Sequence, residues 1–163
     1  MEILLEPFED VASQNTPPVI RFQPDGPSFS GPPSGVAATL TTTLPNPSRL
    51  IAWVTDEPPK LNVATALLTV PAPAAAGPPR VPPVSVTWSM FRGPGPVTFD
   101  NPRPAVSGAE GGKTTATAAF SVPGEYILRL QANDLSGDGG GGFQCCWTNV
   151  HVRVIVKPSS GGQ

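Results

Sequence analysis

Charge is scarce in this chain. Only 13% of its 163 residues are Asp, Glu, Lys or Arg, and the formal net charge is −2. No two basic residues are adjacent, so the positive stripe that neutralises phosphates is missing and nucleic acid is excluded as a partner. Histidine is reduced to His151, and neither G-x-S-x-G, H-E-x-x-H nor a Gly-rich phosphate loop occurs. Nucleophilic, zinc-dependent and phosphoryl-transfer catalysis are thereby left without their usual carriers, and the chain reads as a non-enzyme. No apolar run approaches the ~20 residues of a membrane-spanning helix. At the start, Ile3-Leu4-Leu5 is too short for the apolar stretch of a secretory signal, and no basic residue precedes it. Asn15-Thr16-Pro17 and Asn46-Pro47-Ser48 both fail as N-glycosylation acceptors, whereas the Thr41-Thr42-Thr43 run and the Pro/Thr/Ser loops leave O-linked sugar open on composition alone.

Cysteine is confined to one adjacent pair, Cys145-Cys146. Neighbours on a strand point to opposite faces, and a bridge between them departs from relaxed disulfide geometry. Two thiols, a strained bridge between neighbours and a link between chains all stay open.

What the chain has in quantity is proline (23) and glycine (17), and between them runs of strict apolar alternation. Val84, Val86, Trp88 and Met90 alternate with Ser85, Thr87 and Ser89; Ala116, Ala118, Phe120 and Val122 repeat the pattern. After the turn Val122-Pro123-Gly124 it resumes at Tyr126, Leu128, Leu130 and Ala132. A period of two is the signature of a half-buried strand, because successive side chains leave opposite faces. Further strands are expected at 19–22, at the Thr-rich 36–44, at 50–55 and over 143–156, where Val150, Val152, Val154 and Val156 share a face opposite His151, Arg153 and Ile155. The expected class is an all-β sandwich of two antiparallel sheets with long Pro/Gly loops.

Three stretches stand outside this pattern. Residues 1–16 form an arm read as extended, since Pro7 disfavours a helix interior. Its first 14 residues carry Glu2, Glu6, Glu9 and Asp10 without a base, which leaves the remainder of the chain at +2. Residues 58–83 are a Pro/Ala-rich insertion whose centre, KLNVATALLTV, reads as an extra strand or a short helix, flanked by polyproline-like or open loop. Gly139–Gly142 lead flexibly or tightly bent into the last strand. Residues 158–163 form a short tail.

Taken together, Pro17-Pro18-Val19, Val54-Thr55-Asp56-Glu57, VTWSMFRGPGPVTF, TATAAFSVPGEYILRLQAND and the final V-x-V-x-V strand resemble the PKD-like, immunoglobulin-like repeats of bacterial surface and secreted proteins. The resemblance covers residues 17–157. It implies a Greek-key sandwich of seven to nine strands and an extracellular spacer, adhesion or binding module without catalysis. The three irregular stretches depart from the family pattern. Trp88 suits the central position between the sheets, and Tyr126 suits a corner role with its hydroxyl tied to nearby backbone.

In that topology the loops after the second main strand and the penultimate strand share an end. Asp56 and Glu57, with Asp134 and Asp138, would meet there as hard oxygen ligands for calcium, although the spaced D-x-D-x-D-G loop is absent. Two functions are expected. In one, the chain is an extracellular structural subunit that forms a homo-oligomer or homopolymer, its arm residues Ile3, Leu4, Leu5, Phe8 and Val11 adding as a strand to a neighbour's sheet edge. In the other, it is a glycan- or protein-binding module whose contact surface lies near Trp53, Trp147 or the insertion.

Overall fold

A computed structural model describes residues 16–56, 84–134 and 146–159. There the alternating runs become eight strands: β1 (Val19–Arg21), β2 (Val36–Thr43), β3 (Ser48–Thr55), β4 (Ser85–Arg92), β5 (Val97–Phe99), β6 (Lys113–Phe120), β7 (Gly124–Asn133) and β8 (Trp147–Lys157). The readings of an arm, of an extra element in the insertion and of the Gly-rich lead-in fall outside the described residues. No helix among the described residues is long and apolar enough to cross a membrane.

Hydrogen bonding sorts the strands into two four-stranded sheets, β1-β3-β6-β5 and β2-β8-β7-β4. The chain changes sheet at every step from β1 to β5 and again between β6 and β7, in an immunoglobulin-like Greek-key order. One pair departs from the expected antiparallel arrangement: β2 runs parallel to β8, from Val36 opposite His151 to Thr43 opposite Lys157. The cause lies in the β1–β2 connection. Phe29 runs antiparallel beside Ile20, exchanging two backbone hydrogen bonds of 2.9 Å with it, so the chain doubles back before β2 begins. Gly31 then meets the start of β8, where its carbonyl accepts from the Asn149 N–H at 2.9 Å, and β2 sets off from there in the direction of β8.

The core lies between the sheets and is built from the alternating residues. Val86, Trp88, Ala116, Ala118, Phe120, Leu128, Leu130, Ala132, Val150, Val152, Val154 and Val156 are all buried in one cluster with Ile20, Leu50 and Val54. Met90 and Val122 break the expectation, at 42% and 38% exposed. β4 becomes irregular between Met90 and Arg92 at its far end. Val122 lies beyond the end of β6, in the residues that carry the chain to the other sheet.

Tyr126 is fully buried; its Oη donates to the Val122 carbonyl at 2.9 Å, and its ring sits 4.7 Å from that of Phe120 at a 60° tilt. This is the corner role expected of it, fixing the crossing from β6 to β7. The C-terminal strand starts at Trp147 rather than at 143, and a buried polar residue holds its first turn of register: Thr148 Oγ1 donates to the Pro18 carbonyl and accepts from the Gly31 N–H at 2.9 Å. One hydroxyl thus joins the first strand's entry, the β1–β2 connection and β8.

A second side-chain tie closes the other sheet's edge. Asp100, just after β5, accepts backbone N–H bonds from Thr117 at 2.7 Å and Asn101 at 2.6 Å. These bonds, that from Thr117 first, hold its carboxyl below the usual aspartate range. A carboxylate depressed in the folded state stabilises above its unfolded pKa, and that contribution disappears as pH falls through the folded value. Stability should therefore drop as the pH is taken below about 4, the ordinary aspartate range, by a component that Asp100→Asn removes. Thermal melts of both proteins across that window check it: the variant's melting temperature falls less steeply with acid.

Candidate assembly surface

Three ties place the chain's irregular stretches at one end of the sandwich. Val19, the first residue of β1, faces Thr55, the last of β3, so residue 16 and Asp56 emerge side by side. Thr148 links that same Pro18 entry to the start of β8. Ala132 in turn faces Thr148, and the Asp134 N–H donates to the Cys146 carbonyl at 3.0 Å. The arm, the insertion and the Gly-rich loop are therefore all rooted at this end. Lys157 leaves from the opposite end, one residue past the Gly124–Val156 pair.

Of the four carboxylates read as calcium ligands, Asp56 and Asp134 do stand at this shared end, Asp134 buried and Asp56 half-buried. Glu57 and Asp138 lie outside the described residues, as do Ile3, Leu4, Leu5, Phe8 and Val11. Among the described residues no group of three or more metal-capable side chains gathers. Cys146 is buried, disulfide-bonded and held at a positive φ of 89°. The chain's one other cysteine is its neighbour Cys145, outside the described residues. Trp53 and Trp147 are both half-buried near this end on the outer faces of opposite sheets, Trp53 between Arg21 and Lys113 in register and Trp147 opposite Asn133.

The four edge strands are protected to very different degrees. β1 is three residues long and is flanked by Phe29. β5 is also three residues long. The edge of β4 is met by the connection between β5 and β6, where the Trp88 N–H donates to the Pro102 carbonyl at 2.8 Å. β2 is different. It spans eight residues without a charge or a proline, and among the described residues no strand pairs with its outer edge. An edge of that kind is a ready template for another strand.

Beside β2 lies the outer face of its sheet, which gathers cations. Arg129 faces His151, and Arg153 and Lys157 follow along β8. Phe91, more than half exposed, stacks on His151 with ring centroids 4.6 Å apart. Arg153 reaches Glu125 at 3.4 Å, a solvent-exposed pair worth little by itself. The Nε of Arg129 and the Oδ1 of Asn149 are buried there without a hydrogen-bond partner among the described residues.

No family model and no curated protein matches the chain. Among solved structures it is similar to the PKD domain (329-428) from human KIAA0319, with 18% identity, 78% of this chain and 82% of that chain covered, and a TM-score of 0.39. It is also similar to the PKD domain from the KIAA 1837 protein, with 18% identity, 85% and 98% coverage, and a TM-score of 0.41. The immunoglobulin-like assignment stands on the strand order itself.

Proposed function

We propose that this chain is a non-enzymatic, extracellular structural protein: a subunit that polymerises by passing its N-terminal arm to a neighbour as an added strand. The observation that carries this reading is the disposition of ends and edges. Residue 16 enters at one end of the sandwich and Lys157 leaves at the other, while one long strand edge stays open between them. A donor segment leaving one copy and an acceptor edge on the next make a head-to-tail contact, which closes into a ring or extends as a fibre. Composition supports the donor. The first 14 residues hold four acids and no base, and the body they would meet carries the balance of positive charge.

Deleting residues 1–14 should convert large assemblies to monomers in size-exclusion chromatography with light scattering, and filaments should vanish from negative-stain micrographs. Because residues 16–56 and onward contain the whole described core, the truncated protein keeps a cooperative melt. Assemblies of unchanged mass after the deletion would refute the reading. A second reading, glycan or protein recognition by a monomer, is favoured by the half-buried Trp53 and Trp147 at the loop end. Glycan-array binding by a strictly monomeric full chain would select it.

A further inference from the structure

Resting on that reading, we propose that the acceptor is the open edge of β2, and that the arm of a second copy docks on it antiparallel with three of its four acids turned to solvent. The argument begins with the backbone of β2. Leu44, just past its end, donates its N–H to the Lys157 carbonyl of β8 at 3.0 Å. Backbone groups alternate sides along a strand, so Thr42, Leu40 and Ala38 also face β8. Thr39 and Thr41 therefore point their N–H and C=O groups at the open edge, as does the N–H of Thr43, whose carbonyl accepts from the Asn46 N–H at 2.9 Å. The side chains follow the same parity. Ala38, Leu40 and Leu44 pack against the core, while Thr39 and Thr41 are exposed on the outer face.

The arm has a matching parity, and two unrelated features of its sequence set it. Pro7 has no N–H, so in an added strand residue 7 must face away from the acceptor. Ile3, Leu5, Glu9 and Val11 share that orientation, and Leu4, Glu6, Phe8 and Asp10 turn their backbone groups toward β2. Independently, the odd positions from 1 to 11 are apolar but for Glu9, whereas the even positions hold three of the arm's four acids, Glu2, Glu6 and Asp10, interspersed with Leu4, Phe8 and Ala12.

In an antiparallel pair, residues that exchange hydrogen bonds place their side chains on the same face. The even residues of the arm then lie beside Thr39, Thr41 and Thr43 on the outer face, and the apolar odd residues lie on the inner face next to Ala38 and Leu40. A parallel strand would reverse this and bury three of the four acids instead of one. The missing proline N–H and the acid–apolar alternation thus select the same orientation. Charge completes the fit: across the small threonines of β2 stand Arg153 and Lys157 of β8, two strand spacings or about 10 Å from the added strand, within reach of Glu and Arg side chains.

The test is Thr41→Pro in the full chain. It deletes a donor on the open edge and leaves the ladder to β8 intact, a position where an edge strand tolerates proline. The expected result is loss of assembly to monomer, with the circular dichroism spectrum and cooperative melt retained. If Thr41→Pro still assembles while removal of residues 1–14 does not, β2 is the wrong acceptor and the arm reading stands. If neither change affects assembly, the arm reading itself falls. Should Thr41→Pro fail to fold, amide hydrogen exchange of the unmodified assemblies decides. Slow exchange at Thr39, Thr41 and Thr43 upholds the proposal and fast exchange overturns it. Slow exchange of those amides in a monomer would mean the arm docks on its own chain, which also overturns it.

Discussion

Replacing Gly112 with alanine should destabilise the fold by about 3–5 kcal/mol, among the largest losses a single added methyl group can cause. Gly112 stands just before β6 at a φ of +86°, where an L side chain is strained. A Cβ there would lie 2.0 Å from the Val54 carbonyl oxygen, a backbone atom with nowhere to go. The same residue's carbonyl accepts the Val54 N–H at 2.8 Å, one step beyond the last β3–β6 pair, Trp53 opposite Lys113. Relief therefore requires drawing the start of β6 away from β3 and breaking that bond. Gly111 is the internal control. It also has a positive φ, 65°, but nothing lies within 4 Å of its added Cβ, so Gly111→Ala should cost only about 1–2 kcal/mol. Urea melts of the two variants separate the close approach from the dihedral. Equal losses would show that the contact with Val54 is relieved cheaply.

Tyr126→Ala should cost about 3–5 kcal/mol, and Tyr126→Phe about 1–2 kcal/mol. The larger figure comes from emptying a fully buried ring site that Phe120 and Gly93 have closed around. Gly93 approaches so closely that a Cβ on it would stand 2.2 Å from the Tyr126 Cδ1. The smaller figure is the loss of one hydroxyl, whose acceptor, the Val122 carbonyl, sits in the crossing from β6 to β7. Denaturant unfolding of both variants gives the split. If phenylalanine were as damaging as alanine, the hydrogen bond rather than the ring would be the main anchor of the corner.

Strand positions were legible wherever side chains alternate over a buried face. β4, β6, β7 and β8 appear close to where the apolar period places them, because one face of each meets the core. Their ends were less so. Met90 and Val122 continue the period in sequence but lie where the sheets no longer cover them, and a period carries no information about where the opposing layer stops. The parallel pairing of β2 was hidden for a different reason. It depends on the excursion through Phe29 and Gly31, which is set by three backbone hydrogen bonds and the Thr148 hydroxyl rather than by an apolar period. Thr148 was equally silent, since a buried threonine with two backbone partners reads in sequence as an ordinary strand residue.

For the candidate surface, the sequence marks the proposed donor better than the proposed acceptor. Ile3, Leu4, Leu5, Phe8 and Val11 stand out by composition. The β2 edge is marked only by what residues 36–43 lack, namely the lysine, proline or other charge that commonly guards an exposed strand. Asp56 and Asp134 were placed at a common end by fold analogy, and the hydrogen bonds through Thr148 give that placement a physical chain of contacts.

The parallel β2–β8 pair has a consequence for load. Tension between residue 16 and Lys157 acts on β8 directly and reaches the start of β2, at the other end of the sandwich, through β1 and the Phe29 excursion. Two parallel strands drawn in this way slide along their common axis, so their registered bonds are strained together instead of parting one after another. The sandwich is thus arranged to resist being stretched along its length.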